Sequence, residues 1–422
     1  MKPFDDFSCG VDAARLRRPA RIGVGRLLTF FLPMAFSLYA NFQGVQLILV
    51  PVQVEAIDPT RKIGNLALLT VFCAITGIAG LMAGGALTDA TRSRWGRRAP
   101  WLAAMAIVSA LLAVTLGLQR QLAPIAALYA ALWFALNFFQ GGMLAVVPDR
   151  VPLDKRSLAS SIMGVGAPLG ALIGVNLVAW ATGESGYAAL AAMLVVTTTA
   201  FTILAREETF HGQGAARRFT LSGALRSLSG FRSRDFAVLF ILRVTMFVAQ
   251  FSINNYLLYI LHDHIGAANL PAGSGQIAAG FLSSLRILVT VVVILVAGWI
   301  AGRTRRRKIF AEIYAFAMAA ASVVPILSPT WSGMLLFAAL GGVAMGFYSA
   351  VDLDVMTHVL PDKNASGRDL SVLVMAGAAA QLLAPVIGGG VIKLLGYDAL
   401  FAFGALGALG VGAAALRLQN VR

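Results

Sequence analysis

Charged residues are scarce in this chain, and acidic residues are the scarcer kind. Only 13% of its 422 residues are charged and 58% are hydrophobic, whereas a soluble protein carries about 25% charged residues. This composition excludes an ordinary soluble domain. It predicts a polytopic membrane protein whose surroundings are the lipid bilayer.

The basic excess, a formal charge of +15, does not indicate nucleic acid. Nucleic-acid-binding proteins gather lysine and arginine on one amphipathic face or in an extended tail. Here these residues lie in short segments between long apolar runs. We therefore expect no nucleic acid partner.

Cysteine and histidine are also rare, with two and four residues respectively. Cys9 lies in a polar N-terminal arm and Cys73 in the middle of an apolar run, so we predict neither a disulfide nor a metal cluster. The sequence has no glycine loop ending in Gly-Lys-Ser/Thr, no His-Glu-x-x-His and no Gly-x-Ser-x-Gly. These absences argue against ATP-driven transport, and we predict no enzyme activity, no metal and no cofactor.

Long apolar runs are what the chain has in abundance. A helix needs about 20 mainly apolar residues to cross a bilayer. The runs are too long for barrel strands and lack their alternation, and helices satisfy the backbone in lipid. We predict an all-α polytopic membrane protein with twelve transmembrane helices, at residues 27–52, 63–88, 99–119, 123–147, 157–181, 186–205, 236–261, 275–300, 309–328, 331–356, 368–394 and 398–416.

Lysine and arginine predict the orientation of these spans. With the N-terminus inside, 28 of the 34 basic residues lie in cytoplasmic segments, and only Arg61, Lys62, Arg120 and Lys393 lie in outer loops. Cytoplasmic loops carry the basic excess of membrane proteins. We predict a bacterial inner-membrane protein with both termini in the cytoplasm.

A basic stretch rich in Ser and Gly, at residues 206–235, divides the spans into two sets of six. The predicted organisation is a cytoplasmic arm (1–26), an N-terminal bundle (27–205), a linker (206–235), a C-terminal bundle (236–416) and a tail (417–422). The basic loop in Gly84–Trp101 returns as Gly298–Lys308, which supports an internal repeat. Two such halves are typical of transporters that rock about a site at the membrane midplane.

The first of these loops resembles a known family. Gly85–Arg98, with Asp89 and a Gly-Arg-Arg at 96–98, matches the signature after the second helix of the major facilitator superfamily. The longer run Asp89–Trp101, with residues 351–354 on span ten, resembles the glycoside–pentoside–hexuronide cation symporters and the sucrose-transporter-like proteins. The resemblance implies the major facilitator fold, with a central cavity lined by spans one, four, seven and ten.

The resemblance also gives the basic loop a role in gating. In the family, this loop latches the inward-facing gate while the protein is open outward. We predict that Asp89, Arg97 and Arg98 form this latch, with Asp149 and Asp354 as further candidates. The alternative is that the arginines only set the topology.

Polar side chains within spans are costly in lipid and usually face the bundle interior. At about 100° per residue, they form common faces on the spans that the resemblance assigns to the cavity. The predicted solute-contacting residues are Tyr39, Gln43, Gln46, Trp133, Asn137, Gln140, Gln250, Asn254, Arg286, Tyr348 and Gln381. The alternative role for each is an interhelical hydrogen bond, which contributes about 0.6–2 kcal/mol.

The charged residues within spans predict the chemistry. Arg286, near the middle of span eight, needs a water-filled cavity, an acidic partner or an anionic ligand such as a sugar acid. Asp352 is the predicted proton carrier, because a carboxylate in a partly dry site can load and release a proton. The alternative for Asp352 is a fixed ion pair with Arg286 or Arg243.

One difference from the resembled family limits which of its features can be expected in this chain. The sodium-coupled members have carboxylates within span two, and residues 65–87 contain no acid. A sodium site is therefore not implied, and proton coupling, facilitated diffusion and exchange remain.

Together these features predict a monomeric, proton-coupled secondary transporter of a small polar solute, namely a sugar, glycoside or sugar acid. The alternatives are an exporter of amphiphiles, drugs or lysolipids, and a non-transporting receptor or assembly factor with the same fold.

Overall fold

The computed structural model describes residues 24–91, 93, 95–151, 156–181, 183–205, 234–301, 303–304, 308–358 and 366–415. The regular structure in these ranges is helical throughout. Nearly all of the predicted arm (1–26) and linker (206–235), and the whole tail (417–422), lie outside the described residues.

Twelve long helices occupy the described ranges at the predicted spans. Their bounds are α1 (Val24–Gly44, continued by a π-helical turn, Val45–Leu49, and by Val50–Ile57), α2 (Lys62–Ala90), α3 (Ala99–Gly117), α4 (Leu122–Leu144), α5 (Arg156–Trp180), α6 (Glu184–Leu204), α7 (Arg234–Asn255), α8 (Gly275–Ala301), α9 (Lys308–Leu327), α10 (Trp331–His358), α11 (Ser366–Leu395) and α12 (Tyr397–Ala415). Ten are long and apolar enough to cross a membrane, and the apolar parts described in α5 and α12 are shorter. The all-α, polytopic fold is confirmed.

Two helix ends lie farthest from their predicted positions. α1 continues to Ile57, with its π-helical turn just before Pro51, a residue that cannot donate a backbone hydrogen bond. α7 ends at Asn255, because Tyr256 leaves the helical conformation (φ −104°, ψ 10°). A connector of short helical turns, residues 256–274, then leads to α8.

The helices pack as two similar sets of six. Helix pairs 1·5, 2·4, 3·4, 3·6 and 1·6 pack together in the first set, and the pairs six positions later, 7·11, 8·10, 9·10, 9·12 and 7·12, pack together in the second. We call the first set the N-half and the second the C-half. Between the halves, α2 packs on α11 and α5 packs on α8.

Glycine allows the same close helix packing in both halves. A Cβ added at Gly80 or Gly84 of α2 would lie 2.2 or 2.1 Å from a backbone oxygen of α4. A Cβ added at Gly342 of α10 would lie 2.8 Å from the backbone oxygen of Arg286 on α8. Small residues bring helix backbones together in lipid, so both halves use one packing device.

The apolar core joins the halves at one end of the bundle only. The largest buried cluster takes residues from along the N-half but, from the C-half, only residues near one end, such as Tyr256, Leu282, Phe337 and Ile392. We call this the closed end; it contains the α1–α2 turn and the connector. At the opposite end, the loop end, the described buried clusters of the C-half are separate from the N-half.

Candidate functional site

Five side chains form an ionic cluster across the halves at the closed end. Lys62, at the start of α2, places its Nζ 2.7 Å from Glu55 Oε1 of α1 and 2.7 Å from Asp263 Oδ1 of the connector. His262 Nδ1 lies 2.9 Å from Glu55 Oε2, and the Tyr397 hydroxyl donates to Asp263 Oδ2 at 2.6 Å. We call these residues the closed-end cluster. The sequence analysis did not predict the closed-end cluster.

Neighbouring groups hold this cluster in place. The Tyr259 hydroxyl donates to the Pro51 carbonyl at 3.0 Å, and Lys62 Nζ lies 4.9 Å from the centre of the Tyr259 ring. In the α1–α2 turn, Asp58 accepts hydrogen bonds from the Thr60 hydroxyl and the Arg61 amide. These bonds lower the pKa of Asp58, because they stabilise its charged form. The turn that presents Lys62 is thus fixed by its own hydrogen bonds.

The predicted latch residues meet at the loop end. Arg98 donates to Asp89 Oδ1 at 2.8 Å, to Asp149 Oδ2 at 2.7 Å and to the Thr88 hydroxyl at 2.9 Å. Arg97 donates to the same Asp89 oxygen at 2.8 Å. All five residues belong to the N-half, so these bonds tie α2, α3 and the turn after α4 into one unit.

The C-half has its own buried ion pair. Arg243 of α7 donates to Asp352 of α10, to the Tyr348 hydroxyl at 2.8 Å and to the Leu373 carbonyl of α11 at 3.2 Å. Of the two arginines that the sequence left open for Asp352, Arg243 is therefore the partner. The fifth latch candidate, Asp354, lies on α10, and its side chain is outside the described part of the structure.

The polar contacts described between the halves lie toward the closed end. Besides the closed-end cluster, Gln46 donates to Asn255 at 3.0 Å and Asn176 donates to Ser284 at 2.7 Å. Two more involve the connector tyrosines. The ion pairs described at the loop end each join two residues of one half.

The predicted solute-contacting residues of the N-half divide into two groups. Gln43 is exposed, and Gln140 donates to the Tyr39 hydroxyl at 3.4 Å. Asn137 donates to the backbone of Trp133, which is only 4% exposed and packs against neighbouring rings. The structure pairs Gln140 with Tyr39 and places Trp133 in the packed interior.

In the C-half, the predicted residues near Arg286 form a small polar site. Arg286 Nη1 donates to Asn254 Oδ1 at 3.0 Å. Gln250, one turn earlier on α7, has a buried Oε1 without a hydrogen-bond partner among the described groups. Tyr348 instead accepts a hydrogen bond from Arg243. Gln381 lies half-buried on α11.

Two further features bear on the choice of ligand. A cavity of about 410 Å³ at the closed end lies between α1, α3, α6 and α8, with Val52, Ile57 and Tyr187 in its mainly apolar lining. Within the described ranges, no group of three or more metal-ligating side chains comes together.

The repeated helical halves and the charged loop after α2 define a class of membrane transporter. The family model of the Major Facilitator Superfamily matches residues 27–321 and 239–421. The chain belongs to this superfamily, and it is a transporter rather than an enzyme.

Solved structures show the same fold at low sequence identity. The nucleoside transporter NupG is 14% identical with a TM-score of 0.70, over 93% of this chain and 98% of that chain. A POT family transporter in complex with 5-aminolevulinic acid is 15% identical with a TM-score of 0.71, over 94% and 95% of the two chains. A bacterial homologue of the human lysosomal transporter Spinster is 14% identical with a TM-score of 0.64, over 95% of both. No curated protein sequence matches the chain.

Proposed function

We propose that the protein is a secondary transporter that moves a small polar solute, a sugar, glycoside or sugar acid, by alternating access. The observation that carries this proposal is that the bonds described between the two repeated halves lie at the closed end. Each half has its own internal ion network at the loop end, so it can move as a unit. Two such repeats rock around a midplane site in secondary transporters.

The orientation of the basic loops makes the closed end the outer end. The structure then represents the inward-facing state, and the closed-end cluster is the outer gate. The predicted latch, Asp89 with Arg97 and Arg98, acts in the opposite state, when the loop end closes. The protein works in a bacterial inner membrane.

The solute binds below the closed end, between polar side chains of both halves. Gln43 and Gln46 of α1 and Gln140 of α4 supply hydrogen-bonding groups from the N-half. Gln250 and Asn254 of α7 supply them from the C-half. Amides suit this task because each has both donors and acceptors for hydroxyl groups.

Transport is coupled to protons through Asp352. Its side chain is 25% exposed and pairs with the nearly buried Arg243. A proton on Asp352 breaks this pair, while Arg243 keeps its bonds to Tyr348 and Leu373. Loading and release of the proton therefore change the contacts between α7 and α10.

Proteoliposome uptake tests both parts of the proposal. Wild-type protein is expected to accumulate at least one solute from a panel of sugars and sugar acids when a proton gradient is applied. Asp352→Asn is expected to lose this accumulation and to keep solute exchange without a gradient. The control is Asp398→Asn, the same change at a 63% exposed carboxylate of the closed end. Unchanged accumulation in Asp352→Asn would leave a fixed ion pair as the role of Asp352.

A second candidate function is the export of an amphiphile. It is favoured by the mainly apolar 410 Å³ cavity beside α3 and α6, because apolar pockets suit acyl chains. The same vesicles, loaded with a fluorescent lysolipid, separate the two functions. Lysolipid movement without sugar or sugar-acid uptake would favour the exporter.

A further inference from the structure

We infer that the transported solute carries an anionic group, a carboxylate in the simplest case, and that Arg286 binds it. This inference rests on the transport function proposed above and narrows its substrate class. Three observations support it. Arg286 lies deep within α8, its described hydrogen-bond partner is the neutral Asn254, and nearby acidic residues pair with other cations.

Arg286 lies deep in the bundle. It is eleven residues beyond Gly275, the first residue of α8, which places its backbone about 16 Å from that end of the helix. Its guanidinium group has five N–H donors, and Asn254 accepts a hydrogen bond from one nitrogen at 3.0 Å. Asparagine is neutral, so this bond orients the guanidinium without balancing its charge.

The two acidic residues of α10 are far from Arg286, and Asp352 is already paired. Gly342 of α10 packs against the Arg286 backbone, and Asp352 lies ten residues farther along α10, about 15 Å away. Asp352 pairs with Arg243. Asp354 lies two residues farther still. Arg286 has no carboxylate within 4.0 Å among the side chains that the structure describes.

The acids of the closed end are engaged as well. Asp263 and Glu55 both contact Lys62 at 2.7 Å. A cation deep in a membrane span is costly unless water or an anion compensates it. The described protein groups supply hydrogen bonds to Arg286 but no negative charge.

A small void adjoins Arg286. It has a volume of about 20 Å³, is lined by Asn254 and Ser283 together with apolar side chains, and holds about one water molecule. Gln250, one turn before Asn254 on α7, has a buried Oε1 without a hydrogen-bond partner among the described groups.

The site also adjoins the boundary between the halves. Asn255, the residue after Asn254, accepts a hydrogen bond from Gln46 of the N-half at 3.0 Å. The residues that line the void beside Arg286 belong to the C-half, and this bond to Asn255 places the N-half next to them. Arginine binds a carboxylate through two parallel, charge-assisted hydrogen bonds, which a neutral sugar cannot replace.

Matched pairs of solutes test this inference in proteoliposomes. The pairs are glucuronate with glucose, galacturonate with galactose, and gluconate with sorbitol. We expect uptake of the acid of at least one pair, with little uptake of its neutral partner. Arg286→Gln is expected to raise the KM of that acid by about 30-fold or more. Arg120→Gln is the control, because it removes an arginine that is 74% exposed and far from the site.

A second substitution keeps the inference testable if Arg286→Gln fails to fold. Asn254→Asp keeps the size of the side chain and places a carboxylate 3.0 Å from Arg286, where it competes with the solute. It is expected to fold and to raise the KM for the acid by a similar factor.

The outcomes separate the inference from the function on which it rests. Equal uptake of the acid and its neutral partner, with KM values unchanged by Arg286→Gln and Asn254→Asp, overturns the anion site and keeps the transporter. No uptake of any panel member contradicts the proposed function itself.

Discussion

At the closed end, Lys62 of the N-half contacts Asp263 of the C-half, and Glu55 contacts His262 in the same way. At the loop end, Arg98 pairs with Asp89 and Asp149 inside the N-half, and Arg243 pairs with Asp352 inside the C-half. Ion pairs within a half keep that half rigid. Ion pairs between halves are contacts that a rigid-body motion has to break.

Burial is similar at the two ends. The side chain of Lys62 is 11% exposed, against 3% for Arg98 and 5% for Arg243, and the paired carboxylates are 22–35% exposed at the closed end and 25–35% exposed at the loop end. Breaking a buried ion pair is destabilising at either end. The two ends therefore differ in which halves their ion pairs join.

The largest expected effect is on the internal network of the N-half. Arg98→Gln leaves Asp89 and Asp149 with weaker partners, and we expect the free energy of unfolding to fall by about 3 kcal/mol. Heating detergent-solubilised protein and measuring the monodisperse fraction checks this. Arg120→Gln, at an exposed pair with Glu184, is expected to change stability by less than about 1 kcal/mol. Equal effects of the two substitutions would contradict the structural role assigned to the buried network around Arg98.

A smaller effect is expected when the closed-end cluster is broken. Lys62→Met removes both ion pairs of the lysine, and we expect the closed end to open more often, by roughly tenfold. The reporter is Gln43→Cys in a background with Cys9→Ser and Cys73→Ser, labelled by a membrane-impermeant thiol reagent applied from the closed-end side. Arg61→Met is the matched control, since it changes an adjacent basic residue outside the cluster. Identical labelling rates in the two variants would mean that the closed-end cluster does not hold the closed end shut.

The smallest effect concerns the histidine of the same cluster. His262→Ala removes the contact of His262 Nδ1 with Glu55 Oε2 at 2.9 Å and leaves both ion pairs of Lys62 in place. The labelling rate is therefore expected to rise by about two- to fivefold, less than in Lys62→Met. An unchanged rate would mean that His262 does not help to hold the closed end shut.

Much of the fold could be predicted from local sequence. Lipid requires every spanning segment to satisfy its own backbone, so apolar run length alone locates the helices. The continuation of α1 to Ile57 through a π-helical turn and the end of α7 at Asn255 were not predicted, because neither follows from the length of an apolar run.

Sequence separation decides what could be predicted of the site. Asp89, Arg97 and Arg98 lie on one short loop between two spans, so their pairing could be anticipated from proximity. Lys62 and Asp263 are about two hundred residues apart, and hydropathy places both at the edges of spans without relating them. The available signal was Lys62 itself, because it is a basic residue in an outer loop and the outer loops contain few basic residues.

The choice between the two intramembrane arginines could not be made from the sequence either. Arg243 and Arg286 both lie on spans beside the predicted cavity, and only the packing of α7 against α10 and α11 assigns Asp352 to Arg243. That assignment leaves Arg286 with the neutral Asn254 as its described partner, which is the basis of the proposed anion site.

Cross-linking across the closed end is the most direct test of the rocking motion. In the cysteine-free background, Lys62→Cys with Asp263→Cys would be bridged by a short bifunctional thiol reagent, and Arg120→Cys with Glu184→Cys would be the control at the same end within one half. The account predicts that the first bridge stops solute uptake, that reducing a cleavable bridge restores it, and that the control bridge leaves uptake intact. Undiminished uptake with the halves covalently joined at Lys62 and Asp263 would contradict it.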